Sequence, residues 1–408
     1  MAKKLVIIGW GFWGLRTFYN LAWNKNFDIT LIDPRTTSSM KPTMPEVAFQ
    51  GKDVEETRFD LKSVIEWKGT KFINEAVIKI DADNNKLTTN NKTEISYDYL
   101  VVTAGAKKNF TAIKGLEEHG YSMCDDIHAP KLWKALENFK WGKITIGSAK
   151  STFDSSRVDI PNWIAPCEGP IGEAMFMIHR YLKEKGLREK TEMNVFTPGD
   201  VFFEDIGDDV RWAVGGLMWK RKINLLMEKV TTEVTSDSIK FEDGTEVESD
   251  LTIMIPVYFG QKFLVDSGLA DKVGLLPTDK SMRHLDYKNI FGAGDLNTIT
   301  MPKLGHLAVM QADIVSAQLR KEVGENIEIP EYKPEVMCIM WMGHNEAAIV
   351  LSDIKLGWKK DIVWYGQWQG FTKKMFDYYN ISTNGKMPPK IGEHMFKKSI
   401  EIFGMWKK

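Results

Sequence analysis

The chain opens on a short apolar run, Leu5-Val6-Ile7-Ile8, that breaks into glycines and resumes as Trp13–Trp23 with helical spacing. A buried parallel strand followed by a helix is the reading this pattern supports. A second strand, Asp28–Ile32, closes a βαβ unit and ends at Asp33. Strands are expected at Ile78–Ile80, Leu87–Thr89 and Tyr99–Val102. Lys143–Gly147 opens a second unit of the same type, with a helix at Gly169–Lys185 and a strand at Glu192–Phe196. Strand-like segments at Ile239–Phe241 and Leu251–Pro256 lead back to the first unit. Ile290–Phe291 precedes a glycine turn, and a helix is expected from about Gly305 to Arg320. A polar linker with two prolines, Val323–Pro334, separates all this from an aromatic-rich C-terminal region.

The pattern predicts an α/β fold of two Rossmann-like dinucleotide-binding domains plus a C-terminal membrane-associating region. The expected division is 1–112 with 256–325, 113–255, and 326–408. The length of 408 residues suits two or three such units. A net charge of −1 offers no field to recruit nucleic acid. Three cysteines, far apart and without a CxxC, exclude a disulfide scaffold and a zinc ribbon, and no metal site is expected. Glycines interrupt the first apolar run and no small-residue cleavage site follows, so the start does not read as a signal peptide and the chain is expected to be intracellular. No stretch of about 18 apolar residues is present to span a bilayer.

Gly9-Trp10-Gly11-Phe12-Trp13-Gly14 fits GxGxxG between a strand and a helix. Gly9 makes the turn, Gly11 lets the backbone approach a pyrophosphate, and Gly14 lets the helix pack on the strand. The helix N-terminus faces the phosphates. Asp33, followed by Pro34 and Arg35, stands where an acid accepts from ribose hydroxyls. Asp98–Ala106, with Ala104 and Gly105, resembles the second turn of two-dinucleotide-fold flavoproteins. Asn289–Asp295 resembles their second FAD motif, with Gly294 and Asp295 at the ribityl chain. Lys303 and Gly305 precede or open a helix whose N-terminus would face the flavin pyrimidine, which suits an anionic reduced flavin. FAD is therefore the expected cofactor. The matching place in the second unit, Gly147-Ser148-Ala149, keeps one glycine and puts a Cβ where a pyrophosphate would approach, so NAD(P)H is not the expected electron donor.

Cys167 precedes a helix, a position that favours the thiolate. Cys338 follows the polar linker. Taken singly, each cysteine reads as a small buried apolar residue. Taken together, the motifs resemble those of sulfide:quinone oxidoreductases, most closely the archaeal ones. The likeness is carried by Gly120–Cys124, Cys167–Pro170, Val195–Gly199, Gly292–Asp295, Met301–Gly305 and Val336–Cys338. It implies that Cys167 and Cys338 form a redox pair on one flavin face. Hydrosulfide would open a disulfide or sulfur-bridged pair, leaving a persulfide on one and a thiolate on the other. Cys338 would engage the flavin and Cys167 would carry the persulfide, or the reverse. Cys124 would be a third catalytic cysteine. Sulfane sulfur or polysulfide would leave, and a membrane quinone would take two electrons from the opposite face. Glu168, His128 and His306 are acid/base candidates, against the commoner role of solvated or core-satisfied side chains.

Ile391–Lys408 places Ile391, Met395, Phe396, Ile402, Phe403, Met405 and Trp406 on about half of a helical wheel. Lys390, Lys397, Glu401 and Lys408 lie opposite, and Lys398 does not fit. This is the pattern of an interfacial helix, with packing on the protein's own core as the alternative. Phe371 and Phe376 are candidates to stack on a quinone, and Met340-Trp341-Met342 to line its channel. The expected partners are sulfide, a quinone and the bilayer surface on the cytoplasmic side, with self-association left open. The competing readings are a type II NADH:quinone dehydrogenase, a flavin subunit that passes electrons to a cytochrome, and a non-catalytic thiol sensor or sulfur carrier.

Overall fold

The computed structural model describes residues 1–61, 64, 70–153, 157, 161 and 163–404. Two five-stranded parallel sheets form the body. The first has the order Ile290–Gly292, Tyr99–Val102, Lys3–Ile8, Phe27–Ile32, Lys71–Ile73. Its central strand has both faces covered, which explains its unbroken apolar run. Leu5 and Ile7 pack against Leu15, Phe18 and Leu21 of the helix Phe12–Leu21. Val6 and Ile8 pack on the other side with Ile80 and Leu87 of the antiparallel hairpin Val77–Asp81/Lys86–Thr89. Each such side chain contributes about 1.5–3 kcal/mol on burial.

The second sheet has the order Gly120–Tyr121, Leu251–Ile255, Gly142–Ser148, Thr191–Phe196, Ile223–Leu226. The helix Gly169–Glu184 packs on it through Ile171, Met175 and Ile178. The expected strands and helices are all present among the described residues, with ends shifted by at most two residues. The first helix, for example, stops at Leu21 rather than Trp23.

The C-terminal region holds structure that the sequence pattern did not yield. Val336–Gly343, Glu346–Ser352 and Asp361–Gly366 form a three-stranded antiparallel sheet. Two helices follow, Gln367–Ser382 and Lys390–Gly404. Both are built inside out. The first buries Gln369, Lys373, Asp377 and Asn380, and exposes Trp368, Phe371, Met375 and Tyr378. Lys373 Nζ sits 2.6 Å from Asp377 and 2.8 Å from the Pro42 carbonyl, so its charge is paired within the fold.

The second helix turns its charged side inward. Lys397 reaches Glu335 at 2.6 Å, Glu401 pairs with Lys360 at 2.8 Å, and Glu393 accepts from Arg16 at 3.4 Å. Only Ile400 of this helix is fully buried, against Ile349 and Leu351. Ile391, Met395, Ile402 and Phe403 face outward, while Phe396, expected with them, is partly buried. Met405, Trp406 and Lys408 lie outside the described residues. Among the described residues, no helix is long and apolar enough to cross a membrane.

Breaking the Lys373–Asp377 pair leaves a buried carboxylate without its cation. Lys373→Met is expected to lower unfolding stability by about 3–5 kcal/mol. Lys373→Met/Asp377→Leu should recover much of that loss, both read from denaturant midpoints.

Candidate active site

The two glycine motifs of the first sheet meet at one edge. A Cβ on Gly9 would lie 2.6 Å from the Thr103 carbonyl oxygen, and one on Gly14 would lie 2.0 Å from the Gly9 carbonyl oxygen. Gly11 has no atom nearer than 3.9 Å to its Cβ direction, so its side of the turn is open. Phe12 opens the helix that follows. Asp33 is buried and accepts from the Trp10 backbone N–H at 2.9 Å, while Arg35 closes on it through Nε and Nη2 at 3.0 and 2.9 Å. Pro34 joins the two. Ala104 and Gly105 are held by Gln261, whose side chain donates to both carbonyls.

Gly294 takes φ +82°, and the Trp13 indole covers it. Trp13 thus links the first motif to the second. Asp295 follows, with a buried Oδ1 that has no hydrogen-bond partner in the protein, an acceptor set for a ligand hydroxyl. Lys303 is only 6 % exposed and so is not a solvated surface lysine. Burial pushes its ammonium down to about 8, against the Asp295 charge that favours the cation. Its Nζ donates to the Asn297 carbonyl at 2.8 Å. Gly305 opens the helix Gly305–Glu322 immediately after. The cradle, the buried acid and the orphaned acceptor fit FAD.

The cysteine segment reaches this motif directly: the Lys303 N–H donates to the Pro166 carbonyl at 2.9 Å, one residue before Cys167. Cys167 is buried, and Glu168 caps the helix Gly169–Glu184. Cys338 lies on the strand Val336–Gly343, which packs along that same helix. A Cβ at Gly169 would stand 4.0 Å from both Cys167 Sγ and Met340 Sδ, so the helix start and this strand meet at the thiols. All three cysteines are free thiols; Cys338 and Cys124 pack on one apolar cluster, and both lie close enough to Cys167 for their charges to act on it.

The expectation of a thiolate at Cys167 is overturned. Burial raises its pKa well above the ordinary value, and the charges of Asp205 and Cys338 raise it further. The backbone N–H of Gly169 favours the thiolate but is outweighed. Burial likewise raises Cys338, again with Asp205 adding. The helix N-terminus acts through one hydrogen bond, whereas desolvation acts on the whole charge.

The surrounding carboxyls respond in the same way. Glu168 Oε2 accepts from the Phe203 N–H at 2.6 Å, and burial lifts the group to about 8. Burial lifts Glu204 to about 7, Asp205 to about 6 and Glu173 to about 7. Glu173 accepts from the Trp341 N–H at 2.8 Å, beside the Cys338 strand. Sequence reasoning found Glu168 and missed the other three, because only the fold brings them to the cysteines.

The remaining candidates are placed apart or already engaged. His128 is paired with Asp125 at 2.8 Å and stacked on Phe110. His306 is bound to Glu335 at 3.0 Å, whose carboxyl is held down to about 2 despite burial by His306 and Lys397. Phe371 is exposed and stacks on Trp368, while Phe376 is half-buried about 140° away around the helix, so the two do not face each other. Met340 and Met342 line a small apolar cavity with Gly172 and Phe203. Among the described residues no cluster of metal-ligating side chains occurs.

Fold and site define an FAD-dependent oxidoreductase built on two dinucleotide folds. The family model described as pyridine nucleotide-disulphide oxidoreductase matches residues 3–139. The full-length likeness is to sulfide:quinone oxidoreductases. The chain is 28% identical to the sulfide-quinone reductase of Aquifex aeolicus, over 99% of this chain and 95% of that one. It is 24% identical to the mitochondrial sulfide:quinone oxidoreductase of Dictyostelium discoideum, over 88% and 79%. The X-ray structure of the Aquifex aeolicus enzyme superposes with a TM-score of 0.86 at 26% identity, covering 97% of this chain and 95% of that one. Similarity to the external alternative NAD(P)H-ubiquinone oxidoreductase B4 of Arabidopsis thaliana, at 28% identity, covers 74% of this chain and 55% of that one.

Glu168 is neutral in the fold up to about pH 8 but ionises near its ordinary value of 4.5 when unfolded. Its contribution to stability is full below about pH 4.5 and is lost as pH rises towards 8. Glu168→Gln keeps an acceptor for Phe203 and removes the ionisation. The expected outcome is a shallower fall of the unfolding midpoint between about pH 5 and pH 8, leaving the part that Glu204 and Asp205 supply.

Proposed function

We propose that the protein is a sulfide:quinone oxidoreductase on the cytoplasmic face of the cell membrane. The observation that supports this reading is the hydrogen bond at Pro166–Lys303, which joins the Cys167 segment to the turn after the second FAD motif, with Cys338 near enough for its charge to act on Cys167. FAD, when bound, carries two electrons between the two substrates. Gly9, Gly11, Phe12 and Gly14 would hold its pyrophosphate, and Asp33, Pro34 and Arg35 the adenosine end. Ala104, Gly105, Gly294, Asp295, Lys303 and Gly305 would surround the ribityl chain and flavin ring.

On the sulfur side, Cys167 and Cys338 form the redox pair and Cys124 assists. Hydrosulfide opens their disulfide or sulfur bridge, giving one persulfide and one thiol, and sulfur leaves as sulfane sulfur or polysulfide. Burial keeps the carboxyls neutral, and the thiols of the reduced pair with them, so negative charge enters this pocket only with the substrate. Glu168 and the neighbouring carboxyls, held in the acid form near neutral pH, are suited to donate the proton that turns the displaced thiolate into a thiol.

The quinone approaches from the C-terminal region, with Phe371 and Phe376 on separate faces of one helix. The outward apolar stripes of both C-terminal helices support monotopic membrane binding. The proposed domain division is 1–112 with 256–325, 113–255 and 326–408, a reading supported by the separate membership of the two parallel sheets and the C-terminal sheet. NAD(P)H is disfavoured as donor because Ala149 is buried in a cluster with Phe196, Phe241 and Met254.

Anaerobic sulfide should bleach the bound flavin within the mixing time and added quinone should restore its colour, while NADH leaves it oxidised. Cys167→Ser and Cys338→Ser should each slow bleaching at least about a thousandfold with flavin content unchanged. Bleaching by NADH but not by sulfide would make the protein an NADH dehydrogenase instead.

A further inference from the structure

A groove of about 300 Å³ lies between the first helix and the linker that joins the two inside-out C-terminal helices. Its walls carry Arg16, Tyr19 and Trp23 on one side and Lys386 and Lys390 on the other. Arg16 is spent on carboxylates: its Nε and Nη2 hold Asp313 at 2.7 and 2.9 Å and its Nη1 reaches Glu393 at 3.4 Å. Lys390 lies 3.4 Å from the same Asp313 and stays two-thirds exposed. Lys386 Nζ stands over the Tyr19 ring at 5.3 Å. Among these groups, Arg16, Lys386 and Lys390 outnumber Asp313 and Glu393 by one positive charge.

Its position gives it a neighbour. Tyr378, on the helix before the linker, and Ile391, directly after Lys390, belong to the outward apolar stripes. Trp23, 72 % exposed, stands on the opposite wall, the arrangement of an aromatic residue at a membrane–water boundary. A soluble anion would gain nothing from the flanking apolar stripes. A phosphate held on a lipid would place its chains along them.

We propose that this groove binds the phosphate of an anionic lipid headgroup and fixes the depth and tilt of the protein on the bilayer. The inference rests on the membrane reading above. Lys386 and Lys390 supply the charge, Trp23 and Tyr19 the aromatic wall, and the Arg16–Asp313–Glu393 cluster the rigid floor. Because Arg16 belongs to the helix that carries the first FAD motif, the lipid would seat against the cofactor-binding body itself.

The test is sedimentation of the flavin-loaded protein with vesicles of phosphatidylcholine, alone or with about 30 mol % phosphatidylglycerol. Phosphatidylglycerol should tighten binding of the parent by at least about fivefold. K386Q/K390Q should lose that gain while keeping its binding to phosphatidylcholine and its flavin content. K355Q/K359Q, which removes two exposed lysines elsewhere, should keep the gain.

Retention of the gain in K386Q/K390Q, or equal loss in both pairs, would overturn the proposal. So would displacement from phosphatidylglycerol vesicles by millimolar inorganic phosphate at constant ionic strength, which would assign the groove to a soluble anion. Failure of the parent to bind either vesicle would end the membrane reading itself. Binding to phosphatidylcholine with no gain from phosphatidylglycerol would end this inference alone.

Discussion

One backbone hydrogen bond, from the Lys303 N–H to the Pro166 carbonyl, ties the cysteine segment of the second sheet to the flavin motif of the first. Everything chemical in the molecule depends on that junction. It is buried, so the groups around it are shaped by desolvation more than by any single partner. Lys303 loses part of its basicity, Cys167 and Cys338 are held as thiols, and four carboxyls are lifted towards neutrality. A pocket with this character disfavours fixed charge and is tuned for groups that gain and lose protons near pH 7.

The C-terminal region follows a different constraint. A helix that belonged to the core would bury its aromatic stripe and expose its charges. Here Lys373 and Asp377 are inside and Trp368, Phe371, Met375 and Tyr378 outside. The second helix repeats the inversion and is stapled inward by Glu393, Lys397 and Glu401. Buried ion pairs set where these helices sit without consuming their apolar faces. That division leaves the outer faces for an apolar environment, and the linker between them for its charged border.

The parts legible in the sequence were those fixed by local backbone demands. Gly9 and Gly14 are required by contacts of 2.6 Å or less to backbone oxygens, so their spacing announces the turn. The parallel strands announce themselves because both faces are buried. The C-terminal sheet did not, since Val336–Gly343 is apolar without alternation and gives no period to separate strand from helix. The thiolate expected at Cys167 failed for a related reason: a helix N-terminus can be read from sequence, but the depth of burial that outweighs it cannot. Trp13 over Gly294, and Glu173, Glu204 and Asp205 near the cysteines, depend on contacts between segments far apart in the chain. The amphipathic period of the last helix was legible, but its orientation was not. Which side faces the protein was decided by Glu335 and Lys360, both far upstream of it.

The central claim is that sulfide chemistry takes place on the Cys167–Cys338 pair. The most direct measurement is mass spectrometry of the flavin-loaded protein quenched with a thiol-alkylating reagent during anaerobic reaction with sulfide. The account predicts an added sulfur atom on Cys167 or Cys338, appearing as the flavin is reduced and absent from Cys124. Flavin reduction with both Cys167 and Cys338 carrying no added sulfur would contradict it.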